Sequence, residues 1–148
     1  MARRLSAEAI RCLGLFEDVT GVEGLDCVID DDHERVVIVV PAGTMADAVG
    51  PEGRTVRRVE ERLNRSVSLV EFAEAPEDFV ANALRPAAVY DVALDDDGVA
   101  HVAVAEADRG VAIGADGRTI ELARRLASRH FDVEDIQLVD ATGAKGDT

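Results

Sequence analysis

A nine-residue segment occurs twice in this chain, 64 residues apart. Ala48-Val49-Gly50-Pro51-Glu52-Gly53-Arg54-Thr55-Val56 is matched by Ala112-Ile113-Gly114-Ala115-Asp116-Gly117-Arg118-Thr119-Ile120. Five positions are identical (Ala, Gly, Gly, Arg, Thr), and Val/Ile and Glu/Asp exchanges fill three more. The period exceeds that of a solenoid repeat, so it reads as a duplicated small domain. A chain of 148 residues has room for two such units.

The flanks repeat as well. In the first half, Ala9, Cys12, Leu13 and Phe16 form a helical stripe, and Leu25, Cys27 and Ile29 alternate as a strand. Asp30-Asp31-Asp32-His33 makes a turn, and Val36 to Val40 is a buried strand ended by Pro41. In the second half, Pro76 suits a helix start, with Glu77 and Asp78 in its first turn. Phe79, Val80, Ala83 and Leu84 give that helix its apolar face, and Pro86 ends it. Ala88 to Leu94, the Asp97-Gly98 turn and Val99 to Ala105 read as a hairpin. Each half continues with a short helix, the Gly loop, a longer helix and a last strand. Thr44 and Asp47 are placed to cap the first short helix. Val56, Val59 and Leu63 line the longer helix of the first half; Ile120 and Ala123 line that of the second. The final strands fall at Val67–Phe72 and Val133–Val139. The expected architecture is α+β: two domains, 1–73 and 74–140, each helix-strand-strand-helix-helix-strand with helices on one face of a three-stranded sheet. The linker lies near Ala73–Ala75, and the small, polar segment 141–148 reads as a disordered tail.

A bare GxxG is a weak signal, and the chain holds four. Gly21/Gly24 lies between a helix and a strand and reads as a turn; Gly143/Gly146 lies in the tail. The repeated pair differs in context, because each joins two helices and is followed by Arg-Thr. Glycines let a backbone approach a ligand closely, and the helix that follows directs its N–H groups and positive dipole end at the loop, which favours phosphate. This is the logic of KH domains, whose GxxG loop clamps the backbone of about four nucleotides.

Charge agrees with that logic. Acids number 30 and bases 16, for a net charge of −14, and Lys145 is the single lysine among those bases. Ten of the 15 arginines nevertheless lie beside the Gly loops: Arg54, Arg57, Arg58, Arg62 and Arg65 in 43–70, and Arg109, Arg118, Arg124, Arg125 and Arg129 in 108–130. Both windows carry more arginines than acids, whereas the rest of the chain is strongly acidic. Any single arginine has an ordinary alternative as one half of a weak helix-surface pair, such as Arg54 with Asp47 or Arg62 with Glu61. The two clusters together favour nucleic acid.

The order of elements resembles the type II, or prokaryotic, KH fold. The tandem pair, with Ala-Val-Gly-Pro-Glu-Gly-Arg-Thr-Val, Ala-Ile-Gly-Ala-Asp-Gly-Arg-Thr-Ile, Leu122-Ala123-Arg124-Arg125-Leu126-Ala127 and the segment Pro76 to Ala87, resembles the KH region of the NusA family in its short archaeal form. The resemblance covers about residues 5–140. It implies no polymerase-binding or OB-type domain ahead of the first KH domain. It implies a factor that binds single-stranded nascent RNA and acts in transcription elongation, pausing and termination. A cytoplasmic location is expected from the lack of a membrane-spanning or signal-like apolar stretch, and a monomer is expected. It carries RNA contacts onto Gly50, Pro51, Glu52, Gly53, Arg54 and Arg57, and onto Gly114, Ala115, Asp116, Gly117, Arg118 and Arg125. Val49, Val56, Ile113 and Ile120 would line the base groove. The sequence departs from the family pattern in the acidic middle residues Glu52 and Asp116, which weaken an approach to phosphate. Either concentrated salt screens them, or one loop has lost its RNA role. Pro51 also removes an N–H donor, so the second loop is the stronger candidate.

Other classes fit less well. No apolar run approaches the roughly 20 residues that span a bilayer, and no cofactor or metal site is expected. Cys12 and Cys27 read as small buried hydrophobes. The Asp runs 30–32 and 95–97 lack calcium-loop spacing. His33, His101 and His130 show no partner at a spacing that suggests catalysis, so no enzyme is expected. The rival reading is a KH-fold adaptor whose acidic surface docks on RNA polymerase or a ribosomal protein; an RNA role in ribosome assembly is a third. The acidic, lysine-poor surface is that of a protein working in concentrated salt, where screening relieves self-repulsion. Molar KCl is therefore expected to raise the melting temperature; an unchanged value, with a monodisperse protein in dilute buffer, would contradict this.

Overall fold

The computed structural model describes residues 5–140. The chain divides into two compact units between Phe72 and Ala73. The tail at 141–148, with Gly143 and Gly146, lies outside the described residues.

The first unit contains α1 (Ala7–Thr20), β1 (Asp26–Asp30), β2 (Arg35–Val40), α2 (Met45–Val49), α3 (Arg54–Leu63) and β3 (Ser66–Glu71). Ser6 caps α1, its hydroxyl accepting the Ala9 N–H at 3.1 Å, and Gly21 closes it in a left-handed conformation. The sheet order is β1-β2-β3; β1 runs antiparallel to β2, and β2 runs parallel to β3. Strand β2 is buried at every position because it is central. Its Val36, Ile38 and Val40 share one core with Ala9, Cys12 and Phe16 of α1 and with Val59 of α3. Cys12 and Cys27 are free thiols inside this core; burial, with Glu8 second, pushes the Cys12 thiol above its ordinary pKa.

The second unit repeats the plan with α4 (Pro76–Ala83), β4 (Val89–Leu94), β5 (Val99–Val104), α5 (Glu106–Ile113), α6 (Arg118–His130) and β6 (Asp135–Val139). Pro76 occupies the first turn of α4, where its missing N–H costs nothing. The order is β4-β5-β6, again antiparallel then parallel. Phe79 anchors the core, fully buried against Phe131 at a ring separation of 5.5 Å, with Leu84, Leu126 and Ile136 also fully buried. Each unit is therefore a type II KH domain, with helices on a three-stranded sheet.

Two expectations need correction. Thr44 precedes α2 but does not cap it: its backbone is helical (φ −107°, ψ 0°), and its hydroxyl donates to the Pro41 carbonyl at 2.7 Å. Two of the three histidines also have a carboxylate partner, one within a tight turn and one across a hairpin. His33 meets Asp30 at 3.0 Å, and His101 meets Asp95 at 2.8 Å. Asp95 also accepts the N–H groups of Asp97 and Val99, so the acidic run closes the β4–β5 turn. Its carboxyl is held below the usual carboxylate range by His101 and then by the Val99 N–H.

Asp30 also receives the Arg35 side chain at 2.8 Å, both groups being largely buried. Burial would raise the Asp30 pKa, but the bonds from Arg35 and His33 outweigh it and hold it low. Asp30→Asn is thus expected to cost the first domain about 1–3 kcal/mol near neutral pH. That contribution is full above the ordinary carboxylate pKa and is lost as pH falls through the lowered one. Chemical denaturation of both forms at neutral and strongly acidic pH checks this; an equal cost at both would contradict it.

Candidate nucleic-acid interface

The two Gly loops have the same backbone. Gly50 lies at φ 76°, ψ 173° and Gly114 at φ 79°, ψ 167°, a region open essentially to glycine alone. Glu52 (φ 55°) and Asp116 (φ 56°) follow in the left-handed region, as do Gly53 (φ 74°) and Gly117 (φ 75°). Gly53 and Gly117 each donate to the carbonyl of the first glycine at 3.1 Å, closing a single tight turn. Arg54 and Arg118 then start α3 and α6.

The Thr that follows the Arg in both copies has a physical reason within each. A Cβ on Gly50 would collide with the Thr55 hydroxyl, and one on Gly114 with that of Thr119. Glycine and threonine thus pack as a lock that sets how α2 meets α3 and how α5 meets α6. Short helix, turn and long helix together make the crossover between parallel strands. The positive end of α3 or α6 consequently faces the loop.

The loops differ in their side chains. In the first, Arg54 pairs with Glu52 at 2.9 Å rather than with Asp47, and Arg57 donates to the Glu52 carbonyl at 2.9 Å. Glu52 lies next to Arg54 because the left-handed turn folds it back over the helix start. The Glu52–Arg54 pair is exposed, at 78% and 65% for the two side chains, so it is weak and displaceable. In the second loop Arg118 donates to the Ala115 carbonyl at 3.3 Å, and Ala115 retains the N–H that Pro51 lacks. Pro51, Ala115 and Asp116 are all exposed.

Among the remaining predicted positions, Val49, Val56 and Ile113 are half-buried beside their loops, whereas Ile120 is only 7% exposed and belongs to the core. Arg57, Arg58, Arg62 and Arg125 are exposed, and Arg62 has no ion pair with Glu61. Arg124 ties α6 to β6, forming an ion pair with Asp135 at 2.8 Å and donating to the Ile136 carbonyl at 2.9 Å. Its role follows from a register that spacing alone does not give. Among the described residues no group of three His, Cys, Asp or Glu side chains could hold a metal ion, and no helix is long and apolar enough to cross a membrane.

This geometry defines a class: a tandem KH protein with a GxxG turn between two helices in each domain. Residues 13–74 match the KH domain family, and residues 76–141 match the NusA-like second KH domain. The chain is 56% identical to a "Probable transcription termination protein NusA" of Halococcus morrhuae, over 90% of this chain and 96% of that one. It is 54% identical to a like-named protein of Halobacterium salinarum, over 93% and 99%. The crystal structure of APE1850 superposes with a TM-score of 0.79 at 28% identity, covering 90% of this chain and 99% of that one. The chain belongs to the NusA family in its short archaeal form, and it is not an enzyme.

The lock makes a quantitative prediction. Gly114→Ala is expected to destabilise the second domain by about 2–5 kcal/mol, combining backbone strain with the collision. Gly43→Ala, also at positive φ (83°) but with open space around it, should cost about 1 kcal/mol. Adding Thr119→Ala to Gly114→Ala should recover part of the loss. Thermal melts of the three variants test this; equal costs for the two glycines would contradict the lock.

Proposed function

We propose that this protein is an RNA-binding transcription termination factor that holds single-stranded nascent RNA through its two GxxG loops, acting in elongation and pausing as well as termination. The observation that supports this most is the repetition of one loop backbone in two domains. In each copy the loop stands at the positive start of an arginine-bearing helix, inside a chain that is otherwise acidic. Family membership supports the transcription role: the proteins similar to it are named for termination. A cytoplasmic site, RNA polymerase as a partner and a monomeric state belong to the same proposal. So does a halophilic setting, which the acidic surface and the named relatives of Halococcus and Halobacterium favour.

Binding in concentrated salt gains little from counterion release. Affinity must then come from loop N–H groups, arginine contacts and bases resting on Val49, Val56 and Ile113. The second loop carries the larger share, because Pro51 has no N–H and Glu52 engages Arg54. Ala115→Asp and Pro51→Asp each add a charge at an exposed loop position. In molar KCl, fluorescence anisotropy of a labelled single-stranded RNA should show at least about tenfold weaker binding for Ala115→Asp. Pro51→Asp should cost less, and both proteins should remain folded. If the wild type binds no RNA in a random pool, the protein is instead an adaptor that docks on polymerase or the ribosome.

A further inference from the structure

The first domain has a second basic feature, at the far end of α3 from its Gly loop. Helix α1 packs on α3, and where α3 ends the two leave a cleft of about 290 Å³. Its floor is apolar, made by Cys12, Leu15 and Leu63, and its rim carries Arg11, Arg62 and Arg65. The one acid lining it is Glu8. Three guanidinium groups around one carboxylate is a notable excess in a chain of net charge −14.

We infer that this cleft is a phosphate-binding site separate from the GxxG loop. Arg11 and Arg62 are exposed, and among the described residues neither has a hydrogen-bond or ion-pair partner. Arg65 is held only by long contacts, 3.3 Å to Glu8 and 3.8 Å to Asp31, on carboxylates 45% and 82% exposed. Such pairs are weak and give way to a better acceptor. Guanidinium forks match the oxygens of a phosphate, while the apolar floor suits the sugar or base attached to it. Neighbouring acids Glu61 and Asp31 oppose an anion, as does the negative end of α3; Arg62 in its last turn offsets that end.

The ligand chemistry is a phosphate ester, from either of two sources. One is a phosphate of the RNA strand itself. Arg54, Arg58 and Arg62 recur every fourth residue on the exposed face of α3, a row about 12 Å long from loop to cleft. A strand leaving the loop along that row would reach the cleft; this source rests on the function proposed above. The other is a free nucleotide, which does not.

The test uses the full chain in molar KCl, where long-range charge effects are screened. The variant is Arg11→Gln with Arg62→Gln, both exposed and unpartnered, with circular dichroism to confirm the fold. Three probes are titrated: a four-nucleotide RNA, which fills only a GxxG clamp, an RNA of about ten nucleotides, and uridine monophosphate alone. About tenfold weaker binding of the longer RNA, with the short one unchanged, assigns the cleft to the strand. Uridine monophosphate bound by wild type and lost in the variant, with RNA unaffected, assigns it to a free nucleotide. Glu8→Gln, which releases Arg65, should strengthen whichever probe binds. Variant and wild type alike towards every probe would overturn the inference. A wild type that binds no RNA would refute the proposed function, while the mononucleotide titration still decides the site.

Discussion

Parallel pairing of the second and third strands is the constraint on which the rest of each domain depends. Antiparallel neighbours such as β1 and β2 need only a tight turn, but parallel neighbours need a crossover of a dozen or more residues. Here that crossover is the short helix, the GxxG turn and the long helix. The sheet thus fixes both ends of the segment, and the core residues Val59 or Leu126 fix its long helix on the sheet. What remains free is the turn, which stands in solvent at the start of α3 or α6.

The turn itself is rigid for reasons internal to it. A glycine in a backbone region that other residues avoid lies against a threonine side chain, and the second glycine donates back across the turn. Both copies show this within a few degrees although Pro51 and Ala115 differ. The acid in each loop occupies a left-handed position, so its presence reflects a turn whose conformation does not depend on that side chain. Its effect on a ligand is then a matter of local charge, and in the first loop that charge also engages Arg54 in a weak, exposed pair.

Much of this was legible in the chain because the repeat put two readings of one fold side by side. Apolar alternation located β1 to within a residue, and the helical stripe located α1, which continues to Thr20 beyond the last stripe residue Phe16. Contacts that depend on register were not legible. His101 and Asp95 are six residues apart but meet across a hairpin, and Arg124 reaches β6 from the middle of α6. Thr44 looked like a cap because its residue type fits, yet capping needs an extended backbone there and Thr44 is helical. Ile120 and Val56 are equivalent in the repeat but unequally buried. The α1–α3 cleft was invisible for the same reason, since Arg11 and Arg62 are remote in sequence.

The central claim is that both loops touch RNA. Photo-crosslinking of a thiouridine-substituted single-stranded RNA in molar KCl, followed by peptide mapping, addresses it directly. The account predicts crosslinks in the segments 49–57 and 113–121, with the second stronger. Crosslinks confined to other surfaces, in a protein that binds the RNA, would contradict it.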